Sequence, residues 1–162
     1  MDDPAREQER ATRLAHRAVG QRERTVAEVR AVLERKRVEP DMIDDVVAQL
    51  HEAGLLDDAR YAQRFAEDKR SLDRWGSERI ARELHRRGIA PDLIAAAVAD
   101  RSREAELQTA LVLLEQRAPS VNDDRERDRA WRLLVRRGYQ AELAYEAVQR
   151  HERASAERRH AA

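Results

Sequence analysis

Residues 55–89 read LLDDARYAQRFAEDKRSLDRWGSERIARELHRRGI. They hold two amphipathic segments. From Asp57 to about Leu72, the residues Ala62, Phe65, Ala66 and Lys69 recur at helical spacing behind an Asp-Asp start. From Ser77 to Arg87, Ile80 and Leu84 form the apolar seam. Gly88 then supplies a residue that takes positive φ cheaply, which suits a helix end. Pro91 is placed as a first-turn proline and opens a third segment, with Leu93, Ile94, Ala97 and Val98 facing inward. The spacing predicts a unit of three helices.

Working outward, the flanking sequence looks like two worn copies of that unit. Leu33, Leu84 and Leu134 share a frame, as do Val38, Ile89 and Tyr139, and Val47, Val98 and Val148. Glu39-Pro40-Asp41 stands where Ala90-Pro91-Asp92 stands, while Gln140-Ala141-Glu142 keeps only the acid. Gly88 matches Gly138, but Arg37 fills that place in the first copy. The period is about 50 residues, within the range of stacked helical repeats. Coincidence among Leu- and Arg-rich helices would not align caps as well as core positions. The expected fold is all-α, an elongated array of three tandem three-helix repeats at residues 10–54, 55–101 and 102–153. Residues 1–9 and 154–162 are expected to be disordered tails.

Composition supports that reading. Of 162 residues, 40% are charged and only 4% aromatic, so thin local cores are expected rather than one large core. In the first unit a helix is expected over about Ala5 to Val19, with Leu14, Ala15 and Ala18 inward. Thr25-Val26-Ala27-Glu28 then reads as a capping box. Pro40 opens a helix burying Ile43, Val46, Val47 and Leu50. In the third unit the apolar stripe is Leu107, Ala110, Leu111 and Leu114, then Ala130, Trp131 and Leu134, then Leu143, Ala144, Ala147 and Val148. Whether the helix from Pro91 continues into the next is open, with Ser102 available to cap a fresh start.

Much chemistry is missing from the sequence. There is no Cys, hence no disulfide and no thiolate nucleophile or ligand. The five histidines show no i, i+4 metal pair, and there is no phosphate-cradling Gly loop. Asp57-Asp58 and Asp123-Asp124 sit at helix starts, where capping outweighs metal ligation. The aromatic residues fall near apolar repeat positions, so core packing outweighs base stacking. The chain reads as a non-enzyme with no metal site. No apolar run reaches membrane-spanning length and MDDPAREQER is no signal peptide, so the expected setting is cytoplasmic. A monomer is expected.

One charged feature repeats. Arg79, Arg82 and Arg86 lie at steps of three and four on the side away from Leu84, and Arg129, Arg132 and Arg136 match them in the third unit. These six are the candidate partner-binding basic strip. The competing reading is a solvated face laced with i, i+4 pairs: Glu78 with Arg82, Glu83 with Arg87, Asp128 with Arg132. With 32 basic and 32 acidic side chains, the protein as a whole is no electrostatic glove for DNA.

At these residues the chain resembles the RecX regulatory proteins. The matching words are Leu55-Leu56-Asp57-Asp58 with Arg60, Tyr61, Ala62 and Phe65, then Gly76, Arg79, Ile80, Glu83, Leu84, Gly88 and Ile89. Glu28, Val29, Arg30, Leu33, Lys36 and Val38 look like the family's opening repeat, and Arg136, Arg137, Gly138 and Tyr139 like its closing one. The resemblance spans about Leu14 to His151. It implies a cofactor-free modular array that binds the RecA recombinase filament on single-stranded DNA. The array would limit strand exchange, ATP turnover and co-protease activity in DNA repair, homologous recombination and the SOS response. Weak direct DNA contact is compatible with it. Arg37 departs from the family's usual Gly. Two other readings remain at this level: a stand-alone helical DNA-binding module using Arg82 to Ile94, and a generic helical-repeat scaffold.

Overall fold

The computed structural model describes residues 4–160 and, among them, contains helices and no strand. In order these are α1 (Pro4–Gln21), α2 (Val26–Arg35), α3 (Pro40–Glu52), α4 (Asp58–Ser71), α5 (Ser77–Arg86), α6 (Pro91–Ala99), α7 (Arg103–Arg117), α8 (Asp124–Arg137) and α9 (Ala141–His160). No described helix is long and apolar enough to cross a membrane. The fold is all-α and built of tandem helical repeats. Leu33, Leu84 and Leu134, aligned by frame alone, are all fully buried.

The repetition extends to the backbone hydrogen bonds. Val38 N donates to Leu33 O, Ile89 N to Leu84 O and Tyr139 N to Leu134 O, at 3.1, 3.1 and 3.2 Å. Each bond closes a helix through a left-handed residue, respectively Arg37, Gly88 and Gly138. The second helix of each repeat thus ends in the same turn, which delivers an apolar side chain back to the core.

The chain divides into two compact units: Met1–Arg64 with Leu84–Ile94, and Phe65–Glu83 with Ala95–Ala162. In the first, Ala11 and Ala15 of α1 pack with Val29 and Leu33 of α2, Ile43, Val46, Val47 and Leu50 of α3, and Val38 and Leu56 from the connecting turns. Its polar centre is the start of α2. The capping box is formed: Thr25 Oγ1 accepts from Glu28 N at 3.2 Å and Glu28 Oε2 accepts from Thr25 N at 3.3 Å. The Thr25 hydroxyl also donates to Arg87 O at 2.8 Å, and Val26 N donates to Asp58 Oδ1 at 2.9 Å. The Asp-Asp pair therefore splits its work. Asp57 accepts from Arg60 N and caps its own helix, while Asp58 caps α2.

In the second unit, Leu107, Ala110, Leu113 and Leu114 of α7 pack with Ala130 and Leu134 of α8, Leu143, Ala144, Ala147 and Val148 of α9, and Val121 and Tyr139. Asp123 caps α8 by accepting from Glu126 N at 2.7 Å. Arg70, although charged, is buried: its Nη2 donates to Ala97 O and Val98 O at 3.2 and 3.0 Å, closing the C-terminal end of α6.

Several expectations change. The tails at residues 1–9 and 154–162 are not disordered where described: α1 already runs from Pro4 and α9 continues to His160. Pro4 is at a first-turn position, and buried Ser155 returns its hydroxyl to His151 O at 2.8 Å, so neither end is cut off from the helix it extends. Residues 1–3 and 161–162 lie outside the described residues. The continuity left open after Pro91 resolves into two helices, α6 and α7, with Ser102 capping α7 by accepting from Ala105 N at 3.2 Å. Leu111, Leu14 and Trp131 only border their cores, while Leu113 and Thr109 are buried. Tyr145 is exposed rather than core.

Candidate partner-binding surface

Four of the arginines of α8, Arg125, Arg129, Arg132 and Arg136, are exposed. Arg129, Arg132 and Arg136 line a shallow concavity, joined by Arg125 and Asp128. Arg125 was missed in the sequence, although it falls four residues before Arg129 and so in phase with the row. Asp128 pairs with Arg132 at 2.8 Å, the expected i, i+4 bridge. Both partners are more than half exposed, so the pair holds Arg132 with well under about 1 kcal/mol and yields it readily to another anion.

Arg79, Arg82 and Arg86 stand on α5. Arg82 is exposed and lies 4.0 Å from Glu78, a loose surface pair. Arg86 lies one turn further along α5 and is exposed. Arg79 differs in kind. It is half-buried, with its guanidinium 4.0 Å from the centroid of the Trp75 ring. Lys69 Nζ lies 4.9 Å from the same ring and 5.8 Å from that of Phe65. Phe65 meets Trp75 edge-on at 6.3 Å. The helical phase of Arg79 showed its outward direction, but nothing in sequence showed the indole beneath it, because Trp75 precedes α5.

Two glycines set the backbone under this cluster. A Cβ on Gly76 would run into the Gly138 carbonyl, and one on Gly138 would run into Arg79. Gly76 N donates to Arg137 O at 2.9 Å and Glu78 N to Gly138 O at 3.0 Å. Ser77 N, an unpaired first-turn donor of α5, is taken by Glu106 Oε1 at 2.7 Å. The Tyr139 hydroxyl donates to Arg74 O at 2.8 Å, and burial pushes its pKa above the ordinary tyrosine value, so it stays a donor at neutral pH. The start of α5 is thus anchored to the end of α8 by backbone contact with no side chain between them.

Among the described residues no group of three or more acids or histidines is placed to hold a metal ion. What the arrangement offers is exposed guanidinium groups on rigid helices, suited to carboxylates or phosphates.

Comparison with known proteins agrees with the motif words. A model for the second three-helix domain of RecX matches residues 57–98. A protein of Deinococcus radiodurans described as regulatory protein RecX is 36% identical over 146 residues, covering 88% of this chain and 70% of that protein. A protein of Mycobacterium avium with the same description is 33% identical over 161 residues, covering 97% of this chain and 92% of its own. The crystal structure of RecX from Lactobacillus salivarius shares the fold with a TM-score of 0.82, at 18% identity, over 91% of this chain and 97% of that one. With the repeated Leu–Gly turn and the LLDD start in place, these similarities establish that the chain belongs to the RecX family of regulatory proteins.

Proposed function

We propose that this chain binds the RecA recombinase filament on single-stranded DNA and restrains strand exchange, ATP turnover and co-protease activity. The setting would be the cytoplasm, in DNA repair, homologous recombination and the SOS response. Membership of the RecX family carries the reading. The arginine face of α8 supports it, because Arg125, Arg129, Arg132 and Arg136 offer a row of cations to an acidic surface. An array of helical repeats that spans several subunits of a polymer makes linked contacts, and each contact gives the next a high effective concentration. Bridged subunits resist the rotations that filament activity requires, and the bound chain blocks the groove that duplex DNA or a repressor substrate must enter. No cofactor takes part.

Co-sedimentation with RecA filaments on single-stranded DNA tests this, with naked DNA as control and RecA's ATP hydrolysis followed in parallel. The chain should pellet with filaments and slow hydrolysis. Failure to pellet would remove the reading. The spacing of the α8 row also suits a phosphate backbone, since four arginines within three turns span about 16 Å. Retention on naked DNA with a steep salt dependence, unchanged by RecA, would replace the proposal with a DNA-binding module.

A further inference from the structure

We propose that Trp75, with Lys69, Arg79 and Leu72, is a docking anchor for an acidic, leucine-bearing segment of a partner protein. The loop that carries it is rigid. Arg137 Nη1 donates to Asp73 O at 2.7 Å, the Tyr139 hydroxyl to Arg74 O at 2.8 Å, and Gly76 N to Arg137 O at 2.9 Å. Arg74 is held at φ 55, a conformation that costs a non-glycine residue roughly 1–2 kcal/mol and persists because these bonds over-determine it.

Arg79 is placed against its own helix. It is the third residue of α5, where the helix dipole disfavours a cation. Among the described residues no acid pairs with it, and the Trp75 ring is what holds its guanidinium. A stacked guanidinium keeps its in-plane N–H edge open, and that edge matches a carboxylate in bidentate fashion. Leu72, at the end of the α4 stretch that carries Lys69, is 79% exposed. Tryptophan and arginine on a preformed surface are the residues that dominate interface energies.

The occupant follows from charge and shape. Two cations lie against one aromatic ring, three residues along the chain from an exposed leucine, so the complement is carboxylate next to an apolar side chain. Nucleic acid fits less well. A ring face already covered by Arg79 gives a base nothing to stack on. An exposed leucine has no counterpart in a sugar–phosphate backbone. This anchor does not require that the partner be RecA.

The test observes the two indole N–H signals of the full-length, nitrogen-15-labelled chain. One titrant is a synthetic peptide of alternating glutamate and leucine; the other is oligothymidylate of equal charge. The peptide should shift the Trp75 signal and leave Trp131 in place. Arg79→Glu should weaken that response about tenfold or more. This variant should fold, because an acid at the third helical position complements the dipole, and an unmoved Trp131 signal checks it. No shift with peptide, an equal shift with oligothymidylate, or an undiminished shift in Arg79→Glu overturns the anchor. Filament co-sedimentation of Leu72→Asp separates the two proposals. A peptide response without wild-type filament binding removes the RecA reading and keeps the anchor. Normal filament binding by wild type and Leu72→Asp, with no peptide response, removes the anchor and keeps RecA.

Discussion

Arg37 and Gly138 occupy the same turn in different repeats, at φ 60 and φ 90. Left-handed geometry costs an L-residue roughly 1–2 kcal/mol, and glycine returns part of that through its freer unfolded chain. Arg37→Gly should therefore stabilise the protein by about 1 kcal/mol. Gly138→Ala should do the reverse and more, losing about 3 kcal/mol, because strain is joined by the clash of its new Cβ with Arg79. Urea unfolding of both variants measures the two signs; a neutral Gly138→Ala would contradict the close approach. The turn at residue 138 was legible, since the same Leu-to-Gly interval recurs after Leu84. Frame alone also marked Arg37 as the residue in the glycine's place. The contact of Gly76 with Gly138 was not legible, because it joins residues distant in the chain and carries no local pattern.

At the level of elements, helix starts hold more than their own helices. Thr25 caps α2 and also donates to Arg87 O, and it is fully buried. Thr25→Ala should cost about 2 kcal/mol, at the upper end for a cap, because it leaves a carbonyl unpaired as well. Thr25→Ser keeps both bonds and should recover most of the loss in thermal melting. Leu84→Ala, removing a fully buried side chain of α5, should cost about 2–5 kcal/mol; a normal melt would show that the helix phase is wrong. Acid adds a further test at the α2 start. Burial pushes the Glu28 carboxyl up, but the hydrogen bonds from Arg22 and Thr25 and the charges of Arg22 and Arg87 outweigh it, so its pKa is lowered. A lowered carboxyl contributes stability above its unfolded pKa, lost as pH falls through the folded value. Glu28→Gln should flatten the acid limb of a stability–pH curve. The capping box was readable because its parts lie within four residues. The bonds from Val26 to Asp58 and from Thr25 to Arg87 were not, because they depend on which elements meet.

For the molecule as a whole, zero net charge conceals where the cations lie, and only the helical phase of α8 separates its arginine face from its core side. Three of the four arginines lining the concavity were found from that phase. Phase could not by itself join them to the α5 residues, because it fixes direction within a helix and not which helix faces share a surface. If the α8 face carries partner binding, Arg129→Glu with Arg132→Glu should weaken filament binding and leave the fold unchanged. The fold should hold because both side chains are exposed, and losing the Asp128–Arg132 pair costs under about 1 kcal/mol. Binding should fall because each reversal removes an attraction and adds a repulsion. Salt then identifies the acidic partner. Against DNA phosphates, wild-type affinity drops steeply with salt, and the double variant's slope is shallower by roughly one for each phosphate no longer neutralised. Against carboxylates of RecA, naked DNA is held poorly by both versions, and lysine substitutions on RecA restore the variant. A double variant that pellets with filaments and slows ATP hydrolysis like wild type would leave the α8 arginines a solvated face.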